Sequence, residues 1–411
     1  MEQQTAAALS LLSAGAVRER ARRMLAIGLD DGLAHFRVDL GRLDAAADLV
    51  AATTREAYPA LDVPFHARWR HFVIAGRDRW AEIDGDKHWP DRAARARAAF
   101  DLAIVSVLLD AGAGPHWVYR DVETGLDLSR SEGLALASLR MFAGGAFSAR
   151  PGEPLRADAE RLQTLTSEEL ARHFQVSPAN PLAGLDGRAD LLRQLGAAVA
   201  GRPDVFGKAD APRPGGLFDH LAGLAAGGRL AAPVILQALL QRLGAIWPSR
   251  LSLGGVPLGD CWHHPALVTG DATDGLVPLH KLSQWLAYSL IEPLQAAGIE
   301  VTGIDGLTGL AEYRNGGLLI DTGVLHLRDS SAADRAHEAG SLLVVEWRAL
   351  TVALLDHLAD SVRARLGKDA SSFPLAKVLQ GGTWAAGRAI AAARRPDGSP
   401  PIKVLSDGTV F

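Results

Sequence analysis

The segment SLLVVEWRALTVALLDHLA, residues 341–359, places the tightest constraint on the chain. Residues 342–350 are apolar in every direction around a helix except at Glu346 and Arg348, the pattern of a helix buried on nearly all sides. An unpaired carboxylate or guanidinium in such a place costs several kcal/mol, so both side chains need partners. Two positions apart on an ideal helix, they project about 200° from each other and cannot pair together. Their partners must come from elsewhere in the fold. Either both make structural ion pairs, or one of them lines a polar cavity inside a helical core.

The rest of the composition agrees with a mainly α-helical protein with few short strands. The chain has 411 residues, 48% apolar but only 6% aromatic. That length allows two or three domains of roughly 100–200 residues, or one large helical domain with insertions. The reading favoured is a single large helical domain over 1–411. It has an N-terminal helical subregion, 1–200, and a C-terminal subregion, 217–411, that carries most of the site motifs. Between them GRPDVFGKADAPRPGG, residues 201–216, has the Pro, Gly and charge of a seam.

Charge and cysteine usage narrow the function. The formal net charge is −4, against the positive excess expected of a nucleic-acid or anionic-membrane surface. Cys261 is the single cysteine, so an intramolecular disulfide, a Cys-rich zinc site and an iron–sulfur cluster are excluded, and a reducing cytosol is the natural compartment. The opening MEQQTAAALSLLSAGAVRERARR lacks a basic region followed by an apolar core and does not read as a signal peptide. The best apolar run, near 341–358, carries Glu346, Arg348 and Asp356 and is too charged to span a membrane. A cytoplasmic protein is expected.

Apolar periodicity predicts helices over 5–28, 40–57, 91–110, 229–246, 279–296 and 341–366. Ser129 or Ser131 can cap a further helix that Gly144 and Gly145 stop. Pro breaks 150–185 into short helices and loops, and 247–278 reads as a Trp/Pro/Gly-rich loop. The tail ends on Val410 and Phe411, which suggests that it docks.

Four stretches concentrate chemistry. In IDGLTGLAEYRNGG, 304–317, Asp305 or Thr308 can cap a short helix carrying Glu312, Tyr313 and Arg314, broken by Asn315, Gly316 and Gly317. In GGVPLGDCWHHPA, 254–266, Asp260, Cys261, His263 and His264 lie near His280 but match no established zinc spacing. In PLHKLSQWLAYSLIEPLQ, His280, Gln284 and Tyr288 share one helical face and Lys281 and Trp285 the next. In FHARWRHFVIAGRDRW, 65–80, Arg68, Arg70, His71 and Arg77 alternate with Trp69 and Phe72; a phosphate cradle, an RNA strip and a solvated basic face all fit. No GxGxxG, GxxxxGK[ST] or GxSxG motif is present.

Taken together, GDCWHHPA, GLVPLHKLSQWLAYSLIEPLQ, GLTGLAEYRNGGLLIDTGVL, VVEWRALTVALLD, LAKVLQGGTWAAGR and PPIKVLSDGTVF resemble the uracil catabolism protein 4 family of the URC pathway, from about FHARWRHF onward. That family is associated with processing ribosylurea. A more distant similarity links HKLSQWLAYSL, LTGLAEYRNGG and VEWRALTV to the YKRAQLLVADLW, LTMFADYRVPQ and EIRAATI helices of queuosine-nucleoside glycosylases. On that match Glu312 replaces an Asp, Tyr313 and Arg314 are retained, Lys281 and Gln284 match KxxQ, and Glu346 and Arg348 match the charged pair. Asn315-Gly316-Gly317 departs from Val-Pro-Gln. The resemblance implies the helical DNA-glycosylase fold and an N-ribosyl hydrolase acting on ribosylurea or its 5-phosphate, without a cofactor or a metal.

Such a reaction develops oxocarbenium charge, which a fixed carboxylate stabilises. Glu312 is the first choice, with Asp305 or Glu346 as the second acid. His280, His264 and Asp260 are candidates to protonate the leaving urea. Arg314 or Lys281 is placed to hold a phosphate, and Trp262 and Trp285 to wall the pocket, with Gln284, Tyr313 and Arg348 completing the substrate contacts. The expected partner is a nucleoside-like small molecule. Two rivals stand beside this reading: a metal-dependent amidohydrolase using Asp260, Cys261 and histidines, and a non-catalytic partner of the pathway's cyclohydrolase-like enzyme.

Overall fold

A computed structural model describes residues 2–208, 211–247 and 251–405. It is mainly helical, with two-stranded sheets of two or three residues per strand. The described chain divides into two compact units, each discontinuous in sequence. The first takes the chain up to His66, from Leu251 to Gln284 and from Gly303 to Leu405. The second takes Ala67 to Trp247 and Trp285 to Thr302.

In the first unit the helix Leu342–Leu366 is the core, as its all-round apolar pattern predicts. Ser341 caps its start by accepting from Val344 N, and Gly367, with φ 65°, ends it in the left-handed conformation. It packs against Ala14–Leu29 and Leu43–Ala57. The predicted helix over 5–28 is divided, because Ser13 turns extended and caps a new helix at Ala14. The helix Tyr313–Asp321 lies on the long helix and on Trp384–Arg394. The loop expected over 247–278 contains an antiparallel ladder in which Trp262 faces Val277, and this leads into the helix Lys281–Ala296.

Gly316 and Gly317 do not break a helix; they lie inside Tyr313–Asp321. The reason is space: a Cβ on Gly316 would sit 2.6 Å from Trp347 Nε1, and one on Gly317 3.0 Å from Pro401 Cδ. Close packing outweighs the roughly 1 kcal/mol that each glycine costs a helix interior.

The second unit is built on Arg92–Leu108, Arg130–Ala143 and Leu185–Ala200. Ser129 is the N-cap residue of the second of these, and Gly144 follows its end. Buried Asp101 accepts from Arg213, Ala157 N and Gly215 N. The end of the stretch read as a seam is thereby fastened into this unit rather than left as a linker. Residues 209–210 of it, like Val410 and Phe411, lie outside the described residues. No described helix is long and apolar enough to cross a membrane.

Gly387 of Trp384–Arg394 meets the backbone of Tyr313–Asp321 directly, since a Cβ there would lie 2.3 Å from Arg314 O. Gly387→Ala is expected to force these helices apart and destabilise the protein by about 1–3 kcal/mol. Denaturant unfolding measures this; a variant as stable as the wild type would contradict the close approach.

Candidate functional site

Glu312 is itself the N-cap of Tyr313–Asp321, in place of the expected Asp305 or Thr308. Its Oε2 accepts from Arg314 N at 2.7 Å and its Oε1 from Asn315 N at 2.6 Å. The residue is 9% exposed. Burial pushes its carboxyl above the usual range, opposed by the two backbone N–H groups and then by the charges of Lys281 and Arg314. Capping alone does not account for this side chain. Ser341 caps the longer helix without a charge, and the capping Asp78 and Asp91 are exposed.

Two neighbouring groups share the anomaly. Asn315 donates Nδ2 to Leu310 O, while its Oδ1 is buried and has no hydrogen-bond partner. Trp347 Nε1, against Gly316, is a buried donor without a partner. Buried polar atoms are nearly always satisfied, so an unmet acceptor and an unmet donor near a buried carboxylate single this region out as the candidate site. Asn315, expected from the sequence to help break the helix, lies within it, and a polar residue inside an apolar, glycine-rich helix is the sequence signal for its role.

Asp260 and Arg348 hold this region together. Arg348 Nη1 and Nη2 each lie 2.8 Å from one oxygen of Asp260, and Arg348 Nε donates to Ala311 O, next to Glu312. Asp260 also accepts from Lys281 N at 2.9 Å and from Trp262 Nε1 at 2.8 Å, and its carbonyl receives Leu279 N and His280 N. The Arg348 guanidinium and these donors outweigh burial and keep the Asp260 carboxyl well below the usual carboxylate range. Trp262 packs over Gly340, where a Cβ would come within 2.5 Å of its ring.

Glu346 finds different partners, as the long helix requires. It accepts from Ala34 N and His35 N and lies 3.2 Å from His264 Nε2. Since His264 Nδ1 accepts from Ala266 N, the proton of a neutral imidazole is on Nε2, facing Glu346. His280 precedes its helix at φ 46° and places Nε2 3.1 Å from Leu11 O; burial holds its pKa down. Asp260 and His280, two of the three expected proton donors, are thus engaged structurally, whereas His264 Nε2 is buried beside Glu346 without a hydrogen bond. Asp305 is committed as well, to Arg363 Nη2 at 2.6 Å and Leu375 N at 2.6 Å.

Gln284 is tied to Thr308, donating to its Oγ1 at 2.6 Å. Arg314 donates to Gly398 O and lies over the Tyr313 ring, 5.2 Å from its centroid. Trp285 belongs to the second unit, with Arg68 5.6 Å from its ring centroid and the His71 ring beside it. Arg68 itself is buried against Asp110, which removes it from any basic surface. The Cys261 thiol is buried and its pKa pushed far up, and no group of three or more His, Cys, Asp or Glu suited to a metal occurs among the described residues. The structure therefore brings together Glu312, Asn315, Lys281, Arg314, Asp260, Arg348 and Trp262.

The sequence matches the family described as "Protein of unknown function (DUF1688)" over residues 10–411. It is 40% identical over 412 residues to "Protein urg3" of Schizosaccharomyces pombe, covering 98% of each chain. It is 38% identical over 411 residues to "Uracil catabolism protein 4" of Lachancea kluyveri, covering 92% of each.

Two outcomes follow from the electrostatics. A carboxyl whose pKa rises on folding binds protons more readily in the native state, so its ionisation destabilises the fold as pH climbs from about 4.3 through the native value. The melting temperature of Glu312→Gln relative to wild type is therefore expected to increase over that window; a flat or falling difference would mean that the helix N–H groups outweigh burial. Arg348→Met leaves the Asp260 carboxylate buried without its cation and is expected to cost about 3–5 kcal/mol in denaturant unfolding. A cost below about 1 kcal/mol would show that the pair is not structural.

Proposed function

The chain belongs to the DUF1688 family, and from that membership we propose that it serves uracil catabolism as an N-ribosyl hydrolase. The substrate is ribosylurea or its 5-phosphate, and the products are urea and ribose or ribose 5-phosphate. The observation that carries the reading is the Glu312 carboxylate, buried and fixed through both oxygens beside the unmet Asn315 Oδ1 and Trp347 Nε1. The names of the two fungal relatives and the resemblance to nucleoside glycosylases supply the substrate class.

The chemistry follows from placing the ribose at Glu312. As the C1–N bond breaks, its electron pair leaves with the ureido nitrogen and positive charge develops at C1 and the ring oxygen. A carboxylate held in a dry site by fixed dipoles stabilises that charge without reorganising. Urea is a poor leaving group as an anion, so the ureido group must receive a proton. We assign this role to Lys281, whose charge acts on Glu312. Water adds to C1, and its proton restores Lys281. One water is consumed, and one sugar and one urea are released.

For Asn315 Oδ1 to accept from a ribose hydroxyl, or Trp347 Nε1 to donate to a sugar or ureido oxygen, the packing that covers both atoms must open. Glu312 must be ionised to act, so its raised pKa predicts an acidic limb in kcat/KM above the ordinary glutamate range. The metal-dependent rival has less support, since Asp260 is bound to Arg348 and the Cys261 thiol is buried and proton-bound.

Purified protein incubated with ribosylurea is expected to release urea and ribose in equal amounts. Glu312→Gln should lower kcat at least about 100-fold, the scale set by losing one preorganised electrostatic group. Asp305→Asn, which alters a contact to Arg363, should leave kcat within a few-fold. Ammonia without free ribose, or an unimpaired Gln variant, would overturn the reading.

A further inference from the structure

Among the described residues six other than glycine adopt a positive φ, and five of them, Asp31, Leu61, Ala75, Arg130 and Gln175, are exposed or half-buried. His280 is the buried one, 1% exposed at φ 46°. That conformation favours glycine, because a Cβ crowds the following carbonyl oxygen. A residue strained in this way persists only where its surroundings hold it, and such residues gather at functional sites. At His280 the chain wraps around Asp260. Leu279 N lies 2.9 Å and His280 N 3.1 Å from Asp260 O, and Lys281 N lies 2.9 Å from Asp260 Oδ2. His280 O then receives Gln284 N, opening the helix that begins with Lys281. The conformation of this one corner sets where Lys281 stands.

The imidazole ties the corner to the start of the chain. His280 Nε2 lies 3.1 Å from Leu11 O, and since a carbonyl only accepts, Nε2 carries the proton. Leu11 ends the helix Glu2–Leu11, so its carbonyl is one of those a helix leaves unmet at its C-terminus. The same helix grips the segment before Asp260. Thr5 Oγ1 donates to Gly254 O, a Cβ on Gly254 would lie 2.6 Å from Thr5 N, and Ala8 and Leu11 share a core cluster with Leu258 and Cys261. We propose that His280 is a positioning residue, braced by the helix Glu2–Leu11, that fixes Lys281 for its transfer of a proton to the ureido group. This inference rests on the assignment of that proton to Lys281. His280 acts through its neighbour and touches no substrate. A reacting group misplaced by about 1 Å can cost on the order of 100-fold in rate, so one hydrogen bond at the corner is enough to matter.

The test compares three full-length variants at a temperature where circular dichroism shows each to be folded. His280→Gln keeps an N–H at the reach of Nε2, His280→Leu keeps bulk without a donor, and His280→Gly accepts the positive φ without a side chain. The glycine variant relieves strain and keeps the comparison readable if the leucine variant does not fold. His280→Leu and His280→Gly should each lower kcat for ribosylurea by about tenfold or more with KM within about threefold, while His280→Gln stays within about threefold of wild-type kcat. Exchange of the Lys281 amide hydrogen, followed by NMR, should quicken in the leucine and glycine variants and not in His280→Gln, with the amides of Leu342–Leu366 unchanged. Three results would overturn the inference: leucine and glycine variants with wild-type kcat, a glutamine variant as impaired as the other two, or losses that track faster exchange throughout Leu342–Leu366. Wild-type protein that leaves ribosylurea intact would defeat the N-ribosyl hydrolase reading instead, and the exchange of Lys281 would still decide whether His280 and the first helix hold it.

Discussion

The ion pair between Asp260 and Arg348 is the interaction on which the candidate site depends. A guanidinium on a largely buried helix needs a carboxylate, and Asp260 supplies both oxygens to it. The same pair reaches three other parts of the chain. Through Ala311 O it sets the backbone before Glu312, through Lys281 N it sets the start of the next helix, and through Trp262 Nε1 it sets the indole above Gly340. Replacing such a pair by apolar groups can be neutral for stability, whereas removing one member is costly. What it contributes here is position: a carboxylate and an ammonium group from distant segments are brought within electrostatic reach of each other.

Glu312 stands under opposed influences. Burial favours the neutral acid, while two helix N–H groups and two nearby cations favour the anion. A group balanced in this way is poised to respond to charge that develops beside it. The proposed reaction uses that balance, since an oxocarbenium ion adds one more positive neighbour to a carboxylate already held in place.

Much of the fold was legible because it follows from periodicity. The long helix, its burial and the need of Glu346 and Arg348 for separate partners could all be read from one apolar stretch. The identity of those partners could not, because Asp260, Ala34 and His35 are brought in by tertiary folding. Gly316 and Gly317 misled for a related reason: glycine ends helices by conformation, but here it admits Trp347 and Pro401 by its lack of a side chain. Asp305, Gln284, His264 and His280 look like site residues by composition, yet each has a bond that serves the fold. Trp285 lies in the other unit, which no local pattern within its helix could reveal. Asn315 was the converse case, since a buried, half-satisfied amide becomes visible only when its hydrogen bonds are counted.

The central claim is that water attacks the sugar and not the ureido carbonyl. Turnover of ribosylurea in water enriched in oxygen-18, followed by mass spectrometry of the products, distinguishes the two directly. Cleavage of the C1–N bond assisted by Glu312 predicts one labelled oxygen on the anomeric carbon of ribose, measured at early times before ring-opening exchange, and unlabelled urea. Label in a carbamate or carbon dioxide fragment, with ribose unlabelled or still joined to nitrogen, would contradict the account.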